Sequence, residues 1–485
     1  MSRELFQGRT FDDFLFRPRL GRVGSRTDAR LTSAFSKGIA LELPVVSANM
    51  DSVTGAAMAR TMALEGGIGI VHRALSIEDQ AREVERVKRS HGGVVEDPIR
   101  LPRTATMREA RETIKSRGVT GLLIEETRGS GMLAGILSKR DMPWEPGRDG
   151  DPVEQHMTPF DRLHLGRPGM SPDEAARVLY EHRIEKLPVV DGERRILGLI
   201  TKSDILLTRE RPDSTKDAKG RLRVGAAVGA RGDYLDRAEA LLAAGADALV
   251  VDIAHGHSEV MAEALRALRE RFPKAELVAG NIGTADGALF LKDLGAAAVK
   301  VGIGPGRGCR TRLETAAGVP QLEAIYEVRL ALGDSIPIIA DGGMRDDKDV
   351  VLALLCGASS VMLGSMLSGT DEAPGRVIED PATHEKRKVY RGMTSPQAVL
   401  ATHYGAGDEE EIERALDIPA EGQEVEVPYR GSVRDVLHRL RGHLKSAVSY
   451  SGETSLGAAR QILLERPEAF LIPLSAASRR ESYER

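Results

Sequence analysis

A chain of 485 residues is long for one simple domain and leaves room for a second domain or a large insertion. Lys and Arg total 68 against 72 Asp and Glu, for a net charge of −4, and the two signs are interspersed, so no basic excess points to nucleic acid. The only two cysteines, Cys309 and Cys356, are too few and too far apart for a disulfide framework or a cysteine-built zinc site. No apolar stretch follows Met1 and none is long enough to span a bilayer, so a cytoplasmic protein without a membrane partner is expected.

Residues 1–40 read as irregular. Short apolar runs then alternate with amphipathic helical patterns: PVVSANM (44–50), GGIGIVH (66–72), VGAAVGA (224–230), ADALVVDIAH (246–255), ELVAGNIG (276–283), AAAVKVGIG (296–304), IPIIADGG (336–343) and ASSVMLGS (358–365). Helices are predicted at 53–64, 76–90, 233–243, 257–270, 284–293, 320–331 and 346–356. Eight mostly apolar strands joined by crossover helices predict an α/β protein with a closed (β/α)₈ barrel; an open doubly wound sheet is the alternative.

Between the second and third runs the grammar changes. Two similar halves end in GVTGLLIEETRGSGMLAGILSKRDM (118–142) and RIEKLPVVDGERRILGLITKSDIL (183–206), each a helix, a strand, a turn and a second strand. Such a duplication predicts two units packed on each other, at about 94–150 and 151–210, set between barrel portions 1–93 and 211–485. The stretch 211–220 reads as a flexible hinge. After the eighth run, polar residues 366–430 are too long for an ordinary loop and read as disorder or an active-site lid, before a last helix at 432–446.

The residues suited to chemistry follow the strand ends, where a barrel carries its active site. The sixth run enters VGIGPGRGCRTR (301–312), in which Gly302, Gly304, Gly306 and Gly308 can turn backbone groups toward an anion or a cation. Cys309 sits at the apex with Arg307, Arg310 and Arg312 beside it, a setting that favours a thiolate nucleophile. Cys356, on an apolar helix end, reads as packing. Asp341 before two glycines suits a ribose diol, unless it caps the next helix, and Gly343, Gly364 and Ser365 can offer donors to a phosphate. Asp252 is placed to hydrogen-bond a substrate or cofactor; with His255 and His257 it makes only a weak metal spacing. Ser47 and Met50 end the first run, where Met50 can pack on a flat ring.

Taken together, PVVSANMDSVT, DIAHGHS, AGNIGT, VGIGPGRGCRTRLETAAGVPQ, IIADGGMR, VMLGSM, VYRGM and VEVPYRG closely resemble the IMP dehydrogenase and GMP reductase family over nearly the whole chain. The resemblance implies a TIM barrel, usually tetrameric, whose insert looks like a tandem CBS-domain pair that binds ATP or GTP; a structural insert without nucleotide is the alternative. It implies that Cys309 attacks purine C2 to form a thioimidate, and that hydride passes between that carbon and a nicotinamide. Ser47, Met50, Arg307, Asp341, Gly343, Gly364, Ser365, Tyr390, Gly392 and Met393 would hold the nucleotide. Asp252, Asn281 and Gly302 would lie near the nicotinamide, and the carbonyls of Gly304, Gly306 and Cys309 match positions that hold potassium in relatives.

The family runs two reactions. The dehydrogenase oxidises IMP to XMP with NAD and uses a flap Arg–Tyr pair to activate water. The stretch MTSPQAVLATHYGAGDEEEIERALDIPAEG contains no such pair; His403-Tyr404 is the nearest match, and Arg414 precedes Ala415. The reductase converts GMP to IMP and ammonia with NADPH, and relatives use a Thr and a Glu for the departing amine. Thr311 and Glu421 match those positions, and EGQEVEVPYRG resembles the reductase version. Two departures stand out: Arg307-Gly308 and Arg310 replace the usual Ser-hydrophobic and Thr around the cysteine, and the paired insert is more typical of the dehydrogenase. The expectation is an NADPH-dependent GMP reductase, homo-tetrameric or octameric, with IMP dehydrogenase and a non-catalytic nucleotide sensor as alternatives.

Overall fold

The structure is a computed structural model that describes residues 2–89, 98–144, 147–395 and 419–483. It divides into two compact units, one of residues 1–87, 213–215 and 223–485, the other of residues 88–212 and 216–222.

The first unit is a closed barrel of eight parallel strands. They are β1 (Val45–Ser47), β2 (Ile68–Val71), β3 (Gly225–Val228), β4 (Ala248–Asp252), β5 (Leu277–Ile282), β6 (Ala298–Val301), β7 (Ile338–Asp341) and β8 (Ser360–Leu363). Pairing runs in chain order from β1 to β8 and closes where Leu363 meets Ser47. The crossover helices are α1 (Ala56–Leu64), α2 (Ile77–Arg89), α3 (Tyr234–Ala243), α4 (Glu259–Arg271), α5 (Ala285–Asp293), α6 (Gln321–Leu332), α7 (Asp347–Leu355) and α8 (Val433–Tyr450). The strands are buried on both faces because the helices cover the outside and side chains fill the inside, which is why they read as continuous apolar runs. Ser258, Thr284, Asp346 and Ser432 cap their helices through side-chain oxygens. Asp346, not Asp341, caps α7, which leaves Asp341 free of that duty.

The amino-terminal region is more ordered than its composition predicts. Strands Ser33–Ser36 and Ile39–Leu41 form a hairpin. Its Ser33 hydroxyl donates to the Ser359 carbonyl and its Lys37 amide to that of Ala297, just before β8 and β6, so it sits at the amino-terminal end of the barrel. Where it is described, the stretch after β8 contains strands and lines the cavity. Strands β9 (Lys386–Arg391) and β10 (Glu424–Pro428) pair antiparallel, with Ile378–Glu379 along the outer edge. Flap residues 396–418, including His403, Tyr404 and Arg414, lie outside the described residues.

The second unit contains the two repeats. Helix Met107–Arg117 packs on strands Gly121–Glu125 and Leu133–Ser138, and helix Pro172–Glu181 on Lys186–Val190 and Ile196–Thr201. Leu123 and Leu133 of one repeat meet Val190 and Leu199 of the other in a shared core. The stretch 211–220, expected as a flexible hinge, carries local hydrogen bonds at Asp217. Asp217 accepts from the Lys219 and Arg221 amides at 3.0 and 2.9 Å, and pairs with the buried Lys88 at 3.0 Å. A buried lysine needs a carboxylate partner, and Asp217 supplies it.

His72, which follows β2, is buried, and its Nδ1 has no hydrogen-bond partner among the described residues. Burial, helped by Arg391, holds its pKa below the ordinary imidazole value against the pull of Asp51 and Glu83. The unfolded chain therefore takes up a proton that the native barrel refuses. Stability is full above about pH 6.5 and falls below it, by at most about 1.4 kcal/mol per pH unit for this one group. Melting temperatures between pH 8 and 5 should show this acid limb flattened in His72→Gln; a variant that loses stability as steeply as the parent would remove His72 as its source.

Candidate active site

A cavity of about 600 Å³ opens at the carboxyl-terminal ends of the strands. A cavity of that size accommodates a nucleotide-sized ligand. Its floor is set by strand register. Asp252 of β4, Gly280 of β5 and Lys300 of β6 stand in one rung of the sheet. Gly280 has no side chain, and a Cβ there would lie 2.6 Å from that of Lys300. The lysine can therefore reach across the rung to Asp252.

Lys300 is 2% exposed, and its Nζ lies 2.6 Å from Asp252 Oδ1 and 2.7 Å from Asp341 Oδ2. It also donates to Asn281 Oδ1. Burial disfavours the ammonium, but the two carboxylates outweigh it and raise its pKa above the ordinary lysine value. Burial opposes the Asp252 carboxylate too, yet Lys300 and Asn49 hold its pKa below the usual carboxylate range. Asp252 Oδ2 accepts from Asn49 Nδ2 at 2.9 Å, so both of its oxygens are engaged. Asn281 donates to the Gly302 carbonyl at 2.8 Å and to Asp341 Oδ2 at 2.9 Å. Asp252 and Asn281 thus line the cavity, held in place by this network.

The glycine loop after β6 carries Cys309, whose amide donates to the Gly306 carbonyl at 3.0 Å. Cys309 Sγ lies 3.2 Å from Thr311 Oγ1, and that hydroxyl donates to Glu421 Oε2 at 2.7 Å. A hydroxyl has one proton; with Glu421 accepting it, the contact to sulfur is one in which the thiol donates. The loop is pinned by chain more than a hundred residues away. The Arg310 amide donates to the Glu421 carbonyl at 2.7 Å, the Gln423 amide to Gly308 at 3.0 Å, and the Gly392 amide to Gln423 at 3.0 Å. The expected arginine cluster is mostly committed elsewhere: Arg310 pairs with Glu314 at 2.6 Å, and Arg312 donates to the carbonyls of Ile303 and Val319. Arg307 lines the cavity without a side-chain partner among the described residues.

Gly343, Gly364 and Ser365 line the opposite wall, and among the described residues their amides have no internal acceptor. Free N–H groups at strand ends can offer donors to an anion. Tyr390 is buried between them and the cysteine loop, its hydroxyl 3.6 Å from Met50 Sδ. Burial first, then the charges of Asp341 and Cys309, push that phenol up. Gly302, Gly304, Gly306, Gly392 and Met393 also line the cavity. Ser47 does not: it is fully buried in β1 and its hydroxyl accepts from Thr54 at 2.9 Å, which corrects its expected place against the nucleotide. His255 and His257 sit with ring centres 6.3 Å apart, and His257 packs on Phe290. Cys356 is fully buried, which pushes its thiol up.

Residues 8–484 match the IMP dehydrogenase / GMP reductase domain. The chain belongs to this family. The inosine-5'-monophosphate dehydrogenase of Nitrosopumilus maritimus is 45% identical over 94% of this chain and 95% of its own length. That of Aquifex aeolicus is 41% identical over 100% and 96%. Among solved structures, a cysteine-to-alanine variant of GMP reductase from Trypanosoma brucei in complex with guanosine 5'-monophosphate is similar, with a TM-score of 0.89 and 36% identity over 98% of this chain and 97% of that one. The family's fold and nicotinamide-linked purine nucleotide chemistry follow for this chain. Between its two reactions, the names of the curated relatives favour the dehydrogenase expectation over the reductase one.

Reading the family motifs alone misses Lys300, because a lysine within an apolar strand carries no motif of its own. The signal was a charged residue inside AAAVKVGIG, which a fully buried strand admits only with partners. Arg73 and Arg430, in loops after strands, also line the cavity and were missed, although Arg430 lies within VEVPYRG. Gly280→Ala should push Lys300 out of its rung, costing about 1–3 kcal/mol of stability and most of the activity. Denaturant unfolding and steady-state rates check this; an unchanged midpoint with full turnover would mean that the rung has room to spare.

Proposed function

We propose that this chain is a GMP reductase that converts GMP to IMP and ammonia with NADPH, using Cys309 as nucleophile. The observation that carries the direction is the flap sequence without an Arg–Tyr pair, and the hydrogen-bonded series Cys309–Thr311–Glu421 supports the covalent step. In the proposed first step the thiol proton passes through Thr311 to Glu421. The sulfur bonds to purine C2, the bond from C2 to the exocyclic amine breaks, and that proton leaves on ammonia. In the second step C2 gains a hydride, the carbon–sulfur bond breaks, and IMP leaves with the thiolate restored. The nicotinamide, when bound, supplies the hydride. Asp252, Asn281 and Gly302 fit it as a wall, since their polar atoms face Lys300 and one another. Asp341 would hold the ribose, and Gly343, Gly364, Ser365 and Arg307 the phosphate, with Met50, Tyr390, Gly392 and Met393 around the base. The carbonyls of Gly304 and Cys309 have no internal donor among the described residues, and with Gly306 they fit a potassium ion.

The absence of an Arg–Tyr pair in the flap sequence supports the reductive direction, as does the likeness to the trypanosome reductase. The names of the curated relatives support the second reading, NAD-dependent oxidation of IMP to XMP. The insert reads as a tandem CBS pair taking ATP or GTP, supported by its two repeats and their shared core, in a homo-tetramer or octamer.

Absorbance at 340 nm decides the direction, with GMP plus NADPH in one cuvette and IMP plus NAD in another, both with potassium. A fall in the first alone is expected; a rise in the second alone would make the chain a dehydrogenase. Cys309→Ala should abolish turnover. Glu421→Gln should slow ammonia release by roughly 10²–10⁴-fold while GMP still binds, and an unaffected rate would remove Glu421 from the proton path.

A further inference from the structure

We infer that Lys300 is a positioning residue that gives the two carboxylates beside it different work, closing Asp252 and leaving one oxygen of Asp341 open to a ribonucleotide diol. The inference rests on the proposed role of Asp341 in holding the ribose. An ammonium has three N–H donors, and Lys300 places them on Asp252 Oδ1, Asp341 Oδ2 and Asn281 Oδ1. The second oxygen of Asp252 is taken by Asn49. Asp341 Oδ2 is doubly engaged, by Lys300 and by Asn281 Nδ2. Asp341 Oδ1 alone, of the four carboxylate oxygens, has no partner among the described residues, and Asp341 lines the cavity.

One open oxygen with two lone pairs matches the two adjacent hydroxyls of a ribose, both of them donors. Holding the other oxygen at two fixed points sets the plane of the carboxylate, so the open oxygen is aimed before ligand arrives. Removing the ammonium would leave two carboxylates sharing one floor, a pair that relieves its repulsion by taking up a proton or turning apart. Either change unaims Asp341 Oδ1. The lysine thus acts through Asp341 and need not touch the nucleotide.

The test is equilibrium binding of GMP, IMP and 2'-deoxy-GMP to the full-length protein by calorimetry, without cofactor. The parent should prefer GMP over its deoxy analogue. Lys300→Met should weaken GMP by roughly 10–100-fold, the scale of a charge-assisted hydrogen bond, while leaving the deoxy analogue nearly unchanged, so that the preference collapses. In an Asp341→Asn background the same change should cost little more. Because Lys300→Met leaves two facing carboxylates, a second variant, Asp252→Asn with Lys300→Met, removes opposite charges together and carries the same expectation. A folded variant of either kind that keeps the parent's ribo-to-deoxy ratio overturns the inference. If the parent binds neither GMP nor IMP, the proposed function falls and takes this inference with it.

Discussion

An ammonium sealed from water inside a barrel is costly unless opposite charges meet it at close range, and Lys300 is met by two. That requirement organises the floor of the cavity. The lysine reaches Asp252 only because Gly280 stands between them without a side chain, and it reaches Asp341 from the neighbouring strand. Asn281 closes the circuit by accepting from Lys300 and donating to Asp341 and Gly302. Gly302, in turn, must lack a Cβ, which would fall on the Asp341 carbonyl. Three consecutive strands, β5, β6 and β7, are thereby locked in the register that starts the cysteine loop.

That loop leaves the floor at Gly302 and is held again from above. Backbone hydrogen bonds join Gly308 and Arg310 to Gln423 and Glu421, next to β10, and the Gln423 side chain donates to the Arg307 carbonyl at 3.0 Å. Cys309 and Gly422 face each other as a bridge pair. The segment that brings Glu421 to Thr311 is therefore the same one that fixes the position of the sulfur. Arg391, at the end of β9, adds a separate anchor: its Nε donates to Asp51 at 2.7 Å, tying the root of the flap to the loop after β1.

The barrel was legible because each strand is a short apolar run and each following helix has its own period, so eight repeats of one unit are hard to mistake. The hairpin at 33–41 was not, since its Ser and Ala residues gain their strand character from docking against Ala297 and Ser359 rather than from propensity. At the site, residues in glycine-rich or Asp-glycine contexts stood out and do gather at the cavity. Ser47 misled because strand ends alternate between inside and rim, and a shift of one residue reverses the assignment. Asp252 and Asn281 were found, but their partners could not be, because a carboxylate in a sequence does not disclose that a lysine 48 residues later will occupy it. Tertiary pairing decides whether a polar atom is available, and that information is not local.

The proton balance bears on the direction of the chemistry. In the proposed mechanism, forming a thiolate at Cys309 sends one proton along Thr311 to Glu421. In amine expulsion the departing group must gain one proton to leave as ammonia, and the proton stored on Glu421 is the one it needs, delivered by the same hydroxyl. The described side chains therefore supply the proton that ammonia needs, and the thiolate left after hydride transfer takes one from solvent before the next turn. Hydrolysis of the same thioimidate has the opposite demand: water must lose a proton at a moment when Glu421 already carries one, so a second base is required. The flap sequence contains no Arg–Tyr pair, the one that the family resemblance implies for this purpose. Under the proposed function, Thr311 and Glu421 serve a leaving group that takes a proton, while the names of the curated relatives stand on the side of the dehydrogenase.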